Sequence, residues 1–212
     1  MSYSIPTVSS GTVKPQIDGI TLVPLETELP PDYQLLGLDG YCRYQFYKPL
    51  AEHICSIVHP TNIFEIGFFL GSSSYCWLSS STARVVSCDI IHDAATDCLK
   101  VIRNSQNIAT HFNNRFTFIP KSSQFIYDDI KHIQFDLAFV DGRHDYQGVL
   151  EDLNLCYRLN IRYLYLDDFN GDVSKVWAQH FRDRYKPVHG IRFANGDKTS
   201  MVDGLLVRHH AF

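Results

Sequence analysis

The sequence lacks the features that would place it in several large classes of protein. No apolar run approaches the roughly 20 residues that a helix needs to cross a bilayer, and no long basic stretch accompanies the formal net charge of −4. Binding to a membrane, or to nucleic acid through its phosphates, is therefore not expected. The opening "MSYSIPTVSSGTVKPQ" has no charged and then apolar signal pattern, so we expect a cytoplasmic protein.

Paired cysteines are also missing. The six cysteines stand at positions 42, 55, 76, 88, 98 and 156, and none forms the Cys-x-x-Cys pair of a zinc or redox site. Most stand in apolar contexts such as "VVSCDI" and "LNLCYRL". This usage is typical of reduced intracellular proteins, so the sequence predicts free cysteines in the core.

Two nucleotide-binding fingerprints are absent as well. The stretch "FEIGFFLGSSS" at 64–74 contains neither G-x-G-x-x-G nor Gly-Lys-Ser/Thr. This argues against a nicotinamide oxidoreductase and against a phosphate loop. Gly67 and Gly71 nevertheless permit a tight turn from strand to helix and a close approach of the backbone to a ligand. A purely structural turn explains this stretch equally well.

What the sequence does contain is a regular alternation of strand and helix patterns. With 45% hydrophobic residues, the chain suits one domain with a sizeable core. We predict an irregular arm over residues 1–40, with one short strand at 20–23, and an α/β domain over residues 41–212. Within the domain, a helix at 41–58 is expected to kink or break at Pro49. Seven strand patterns follow, the last two as an antiparallel hairpin. The fold class is a Rossmann-like, doubly wound, mostly parallel sheet.

Polar residues follow the strands of this predicted sheet. Ligands of open α/β sheets bind beyond the carboxyl ends of the strands. The residues found at these ends are Asp89, the Ser122-Ser123-Gln124 stretch, Asp141 with His144, and Asp167 with Asp168. Each also has a structural reading: a serine or an aspartate there can cap a helix or a turn, and Asp145 is expected to cap the helix that follows it.

Three of these acids suggest a metal site. Asp141 and the Asp167-Asp168 pair end neighbouring strands at the same edge of the sheet. Converging carboxylates repel unless a cation lies between them, and oxygen ligands favour Mg²⁺, Mn²⁺ or Ca²⁺ over zinc. The sequence predicts a hard divalent cation here.

The ordered motifs "FEIGFFLGSSS", "FDLAFVDGRHDYQGVLEDL" and "YLYLDDFN" resemble class I S-adenosylmethionine-dependent methyltransferases. The last two are most similar to the metal-dependent O-methyltransferases, which include the macrocin-type sugar enzymes and, more distantly, the catechol and caffeoyl-CoA enzymes. The resemblance covers about residues 40 to 210. It implies S-adenosylmethionine and Mg²⁺, or another hard divalent cation, as cofactors.

The resemblance also implies roles for individual residues. Those implied to bind the cofactor are Glu65, Gly67, Gly71, Ser72, Asp89, Ser123, Gln124 and Asp141. The implied metal ligands are Asp141, Asp167 and Asp168. His144 lies where relatives place a general base. The alternative is that His144 is a surface-loop or structural histidine. An imidazole suits the role of base because its ordinary pKa lies near 6.5.

The expected activity is methyl transfer to a hydroxyl of a small molecule of sugar or phenolic type. The aromatic residues Tyr41, Tyr44, Phe46 and Tyr47 either cover this acceptor or pack in the core. A homo-oligomer is compatible with the sequence. The competing functions are a degenerate, non-catalytic binding protein, a nicotinamide oxidoreductase and, ranked last, an iron-dependent hydroxylase.

Overall fold

A computed structural model describes residues 20–23, 29–38, 41–91, 98–193 and 203–208. Most of the predicted arm and the loop of the C-terminal hairpin lie outside these ranges. The division into an arm and a domain at residue 40 stays a prediction.

The described residues form strands and helices in the predicted alternation. The strands are β1 (Ile20–Val23), β2 (Asn62–Ile66), β3 (Arg84–Cys88), β4 (Phe116–Ile119), β5 (Leu137–Val140), β6 (Tyr163–Leu166), β7 (Tyr185–Phe193) and β8 (Asp203–Arg208). The helices are α1 (Pro31–Leu35), α2 (Tyr41–Val58), α3 (Ser72–Ser79), α4 (Cys98–His111), α5 (Tyr127–Ile130), α6 (Tyr146–Arg158) and α7 (Gly171–Val176). A 3-10 turn at Ser123–Phe125 precedes α5, and a π-helical segment at Trp177–Phe181 continues α7.

The eight described strands belong to one sheet, in the order β1-β7-β8-β6-β5-β2-β3-β4. Neighbours are parallel except on both sides of β8, which runs antiparallel to β6 and β7. The predicted α/β class, with its antiparallel C-terminal hairpin, is confirmed. The sheet has one strand more than the seven predicted for the domain, because β1 of the arm pairs in parallel with the open edge of β7.

The order of the strands creates one switch point. The chain runs outward from β2 through β3 to β4, and then returns to place β5 and β6 on the other side of β2. Connections leave β2 and β5 in opposite directions, so a crevice opens between their carboxyl ends. Ligands of doubly wound sheets bind at this position.

Of the kink or break expected at Pro49, the break is wrong, because α2 continues through Pro49 to Val58. A proline inside a helix removes one backbone hydrogen bond. Burial of the following residues Leu50, Ala51 and Ile54 compensates for this loss. We attribute the continuity of α2 to this packing, which a local sequence pattern does not report.

The sheet separates two apolar layers. One contains α2, α3 and α4 with Trp77 and Phe139 at its centre, and the other contains α6 and α7 with Leu153 and Trp177. Of the six cysteines, the five whose side chains the structure describes are free, as expected, and four of these are buried. Cys98 is exposed at the start of α4, contrary to the prediction of a core position. Among the described residues, none of the helices has the length and apolarity that a membrane span requires.

The start of β2 is fixed by Asp136, which precedes β5. Its Oδ2 atom accepts hydrogen bonds from the amide of Thr61 at 2.7 Å, from the hydroxyl of Thr61 at 2.6 Å and from the amide of Asn62 at 3.0 Å. Burial alone would raise the pKa of Asp136, but these hydrogen bonds outweigh it and lower the pKa below its ordinary value. The ionised carboxylate therefore stabilises the fold.

We expect Asp136→Asn to lower the free energy of unfolding at pH 7 by about 1 kcal/mol, the usual size of a net hydrogen-bond contribution. A lowered pKa adds stability above the unfolded-state value of about 3.9. That stability is lost as the pH falls through the still lower folded-state pKa. Urea unfolding from pH 7 to pH 2.5 should therefore show the difference from wild type shrink toward the acid end. Asp183→Asn, at an exposed position, is the control, and a pH-independent difference would contradict this account.

Candidate active site

Two glycines shape the turn between β2 and α3. Gly67 has a φ of 100°, and a Cβ atom there would lie 2.0 Å from the backbone oxygen of Asp141. Gly71 has a φ of 95° at the N-terminal end of α3, and a Cβ atom would lie 2.6 Å from Cδ1 of Ile108. Only glycine satisfies both the conformation and the space. The turn therefore brings the end of β2 directly against the end of β5.

Phe69 lies within this turn and adopts a backbone conformation that normally favours glycine. Its φ is 49°, a left-handed conformation that is strained for a bulky residue. The side chain is exposed beside the crevice. Left-handed strain at a large residue is concentrated in functional sites, which is a signal that the sequence did not carry.

Asp89 follows β3 and holds the same turn. Its Oδ2 atom accepts hydrogen bonds from the backbone amides of Phe68 at 2.9 Å and Phe69 at 2.7 Å. Burial raises the pKa of Asp89, opposed by the amides of Phe69, Phe68 and Ile90. The carboxylate is thus both an anchor of the turn and part of the crevice wall.

Glu65 is completely buried in β2. The hydroxyl of Ser74 donates a hydrogen bond to its Oε2 atom. Burial raises the pKa of Glu65 to about 7, and hydrogen bonds from serines only partly oppose this. Such a carboxyl group changes its charge near neutral pH. It lies behind the wall of the crevice and not on its surface.

The crevice encloses a cavity of about 370 Å³, a volume within the range of small-molecule sites. Six of the predicted cofactor-binding residues line it: Gly67, Ser72, Asp89, Ser123, Gln124 and Asp141. Glu65 and Gly71 are not among its lining residues in the part of the chain that is described. The structure therefore brings most of the predicted residues together around one cavity.

Two further residues of this wall are Tyr47, which the sequence left open between an acceptor cover and core packing, and Asp152, which sequence analysis missed. Tyr47 belongs to the aromatic run of α2 and is buried in the core, yet its hydroxyl donates a hydrogen bond to Oδ2 of Asp141 at 2.8 Å. Asp152 lies on the buried face of α6. The available signal was its spacing, because an acid stands there between the apolar positions Val149 and Leu153.

The acids that follow β5 and β6 meet at one end of the cavity. Nε2 of His144 lies 3.1 Å from Oδ1 of Asp141, and Nδ1 lies 3.3 Å from Oδ2 of Asp168. The side chain of His144 is therefore placed between two carboxylates. Its hydrogen bond with Asp141 raises its pKa, which the charges of Asp141 and Asp168 support and burial opposes.

A possible set of metal ligands also lies here. Asp141, His144 and Asp167 each offer one ligand atom, and these atoms lie within 4.8 Å of one another. This group overlaps the predicted one, with His144 in the position predicted for Asp168. Asp168 itself contacts the opposite side of the imidazole. The predicted ligands are thus neighbours, and the histidine predicted as a base stands among them.

The structural alternatives are resolved for several of these residues. Asp145 caps α6 as expected, since its side chain accepts a hydrogen bond from the amide of Gly148 at 3.0 Å. Ser122 caps the 3-10 turn by accepting from the amide of Gln124. The N-cap residue of α7 is Asn170 and not Asp168. Arg143 pairs with Asp145 at 2.8 Å and is exposed.

Comparison with known proteins adds a family match. Residues 64–161 match a family model described as a methyltransferase domain. The match spans the glycine turn, Asp89 and the Asp141 to Asp152 region, and it confirms the prediction of a methyltransferase. No curated protein matches the sequence.

Solved structures with low sequence identity share the fold. An O-methyltransferase from Bacillus cereus, solved in complex with S-adenosylhomocysteine (SAH), has a TM-score of 0.59 and 14% identity over 84% of this chain and 89% of its own. A putative caffeoyl-CoA O-methyltransferase from Staphylococcus aureus has a TM-score of 0.56 and 15% identity over 84% and 88%. A putative rRNA-methylase from Clostridium thermocellum has a TM-score of 0.56 and 13% identity over 76% and 96%. The fold is therefore that of Rossmann-like methyltransferases, and it does not select an acceptor.

Proposed function

We propose that this protein is an S-adenosylmethionine-dependent O-methyltransferase that acts on a hydroxyl of a small molecule of sugar or phenolic type, assisted by a hard divalent cation. The observation that carries the proposal is the position of the acidic cluster. Asp141 lines the cavity that holds most of the predicted cofactor-binding residues, and it also belongs to the cluster with His144 and Asp167. One residue thus joins the place for a cofactor to the place for a metal.

The cavity fits the proposed cofactor in size and in polarity. Asp89 lines the crevice at the end of β3, where a carboxylate can accept hydrogen bonds from ribose hydroxyls. Gly67 allows the backbone to approach a ligand closely. Bound S-adenosylmethionine would supply an electrophilic methyl group on a positively charged sulfur. The proposal of this cofactor rests on the residues that line the cavity, because the SAH-bound relative is only 14% identical and shares the fold alone.

The acidic cluster fits a hard cation by its ligand chemistry. Carboxylate oxygens are preferred by Mg²⁺ and Mn²⁺, and the facing atoms of Asp141 and Asp167 are close enough to share an ion. A divalent cation held by Asp141, Asp167 and Asp168 would lower the pKa of an acceptor hydroxyl and orient it. His144 is a candidate fourth ligand.

The chain's own residues would then position the acceptor and receive its proton. The hydroxyl of Tyr47 holds one oxygen of Asp141, which fixes the direction of the other. His144 can act as the base only in its neutral form, and its two carboxylate neighbours favour the charged form. A role as base therefore requires that one of these contacts be replaced when the site is filled. Alignment of acceptor oxygen, methyl carbon and sulfur is the remaining task.

Calorimetric titration with SAH and with NAD, followed by a transfer assay, tests the proposal. We expect binding of SAH at micromolar concentration, no binding of NAD, and transfer of labelled methyl from S-adenosylmethionine to at least one member of a panel of catechols and sugars when Mg²⁺ is present. Failure to bind SAH refutes the proposal. Binding of SAH without transfer to any hydroxyl of the panel favours the degenerate binding protein instead.

A further inference from the structure

Asp152 is a buried acid that the proposed chemistry does not use. Its exposed fraction is 3%, and it occupies the second turn of α6 among the buried residues Val149, Leu153 and Cys156. A Cβ atom on Gly142 would lie 2.8 Å from its Oδ2 atom, so the carboxyl group lies directly beneath that backbone. Burial of a carboxyl group is costly unless it has partners. An apolar residue at this position of the helix would pack without this cost.

The protein itself supplies few partners for Asp152. Ser123 forms a side-chain hydrogen bond with it, and burial nevertheless raises the pKa of Asp152 to about 7. The charge of Arg143 also lowers the pKa of Asp152, but Arg143 is paired with Asp145 at 2.8 Å. No ion pair of Asp152 occurs within the described ranges. A buried acid that has no ion-pair partner and lines a cavity is a candidate for binding a ligand.

The order of the strands indicates which part of a ligand would meet Asp152. The acidic cluster follows β5 and β6, Asp89 follows β3, and Ser123 follows β4 at the other end of the row β6-β5-β2-β3-β4. A cofactor with its ribose at Asp89 and its sulfur toward Asp141 has its base on the side of Ser123. Asp152 reaches this side from α6, because it bonds with Ser123 and lines the same cavity.

We infer that Asp152 accepts a hydrogen bond from the exocyclic amine of the cofactor's adenine and thereby selects adenine over hypoxanthine; the inference rests on the proposed function. A carboxyl oxygen complements an amine. Hypoxanthine presents a carbonyl oxygen at the same position, and the ionised carboxylate of Asp152 has no proton to donate to it, so the two oxygen atoms would face each other without a hydrogen bond. A site built for a hydrogen-bond donor rejects an analogue that lacks it, because its buried polar group remains unpaired.

The test compares the binding of two product analogues, SAH and S-inosylhomocysteine, by calorimetry. At pH 8.5, where the carboxyl group of Asp152 is ionised, wild type should bind SAH about 100-fold more tightly, the discrimination expected for one mismatched buried hydrogen bond. Asp152→Asn presents both a donor and an acceptor, so we expect the ratio to fall to about fivefold or less. Asp183→Asn, at an exposed position, should keep the wild-type ratio. The ratio within one variant is insensitive to a general loss of folded protein.

A second measurement uses wild type alone. SAH with a dimethylated adenine amine cannot donate a hydrogen bond, and it should bind at least about tenfold more weakly than SAH. Equal binding of SAH and the inosine analogue by wild type, or an unchanged ratio in Asp152→Asn, would overturn the inference. Failure of wild type to bind SAH at all would refute the proposed function instead, so the two failures are distinguishable.

Discussion

Replacing Asp167 with asparagine is expected to lower the rate of methyl transfer by about 10²–10³-fold, since a divalent cation supplies several kcal/mol to such reactions and each 1.36 kcal/mol changes a rate tenfold. Asp167 offers one of the ligand atoms of the acidic cluster. An amide removes the negative charge while keeping the size of the side chain. Asp167 does not line the cavity in the described structure, so the affinity of the variant for SAH should stay close to that of wild type.

Asp172→Asn provides a matched control for this prediction. Asp172 lies in the first turn of α7, five residues beyond Asp167, and its closest ion pair is with Lys175 at 3.7 Å. Exposed pairs of this kind contribute little to stability, so this variant should keep full activity. Turnover of wild type should also fall when Mg²⁺ is removed by a chelator. Full activity of Asp167→Asn, or of wild type in chelator, would exclude the metal from the proposal.

Replacing Gly67 with alanine is expected to lower the free energy of unfolding by about 3 kcal/mol or more, which places it among the most disruptive substitutions. Left-handed backbone alone costs roughly 1–2 kcal/mol for an alanine. The larger part comes from the 2.0 Å approach of the new Cβ atom to the backbone oxygen of Asp141. The backbone of Asp141 cannot move away from this Cβ atom without separating the end of β5 from the end of β2. We therefore expect the variant to lose binding of SAH as well.

Gly171→Ala separates the two contributions. Gly171 also has a positive φ, 46°, but a Cβ atom would have nothing within 4 Å. Its substitution should therefore show only the conformational cost, roughly 1–2 kcal/mol. Urea unfolding followed by circular dichroism gives both values. A Gly67→Ala variant as stable as Gly171→Ala would show that the close contact between the strand ends does not constrain the fold.

The sequence predicted the α/β class because its patterns are local. Apolar runs of four or five residues, each followed by a turn and an amphipathic helix, have only a few arrangements in a sheet. The same runs end in Asp89, Asp141 and Asp167. Since the carboxyl ends of parallel strands share one edge, a common location for these acids followed without coordinates.

These local patterns did not predict contacts between distant parts of the chain. Tyr47 and Asp141 are 94 positions apart, and their hydrogen bond depends on how α2 packs on the sheet. Aromatic spacing in α2 left open whether these residues cover an acceptor or pack in the core, and it did not indicate a hydrogen bond to Asp141. The continuity of α2 at Pro49 has the same origin, because tertiary packing outweighs a local preference.

By itself, the sequence determined the fold class, the row of polar strand ends and the resemblance to methyltransferases. Only the tertiary structure decided that six of the eight predicted cofactor-binding residues line one cavity, that His144 stands between two carboxylates and that Asp152 reaches this cavity from α6. The reason is physical. Periods of two and 3.6 residues say which side of an element is buried, whereas the order of the strands and the packing of the helices decide which buried side chains meet.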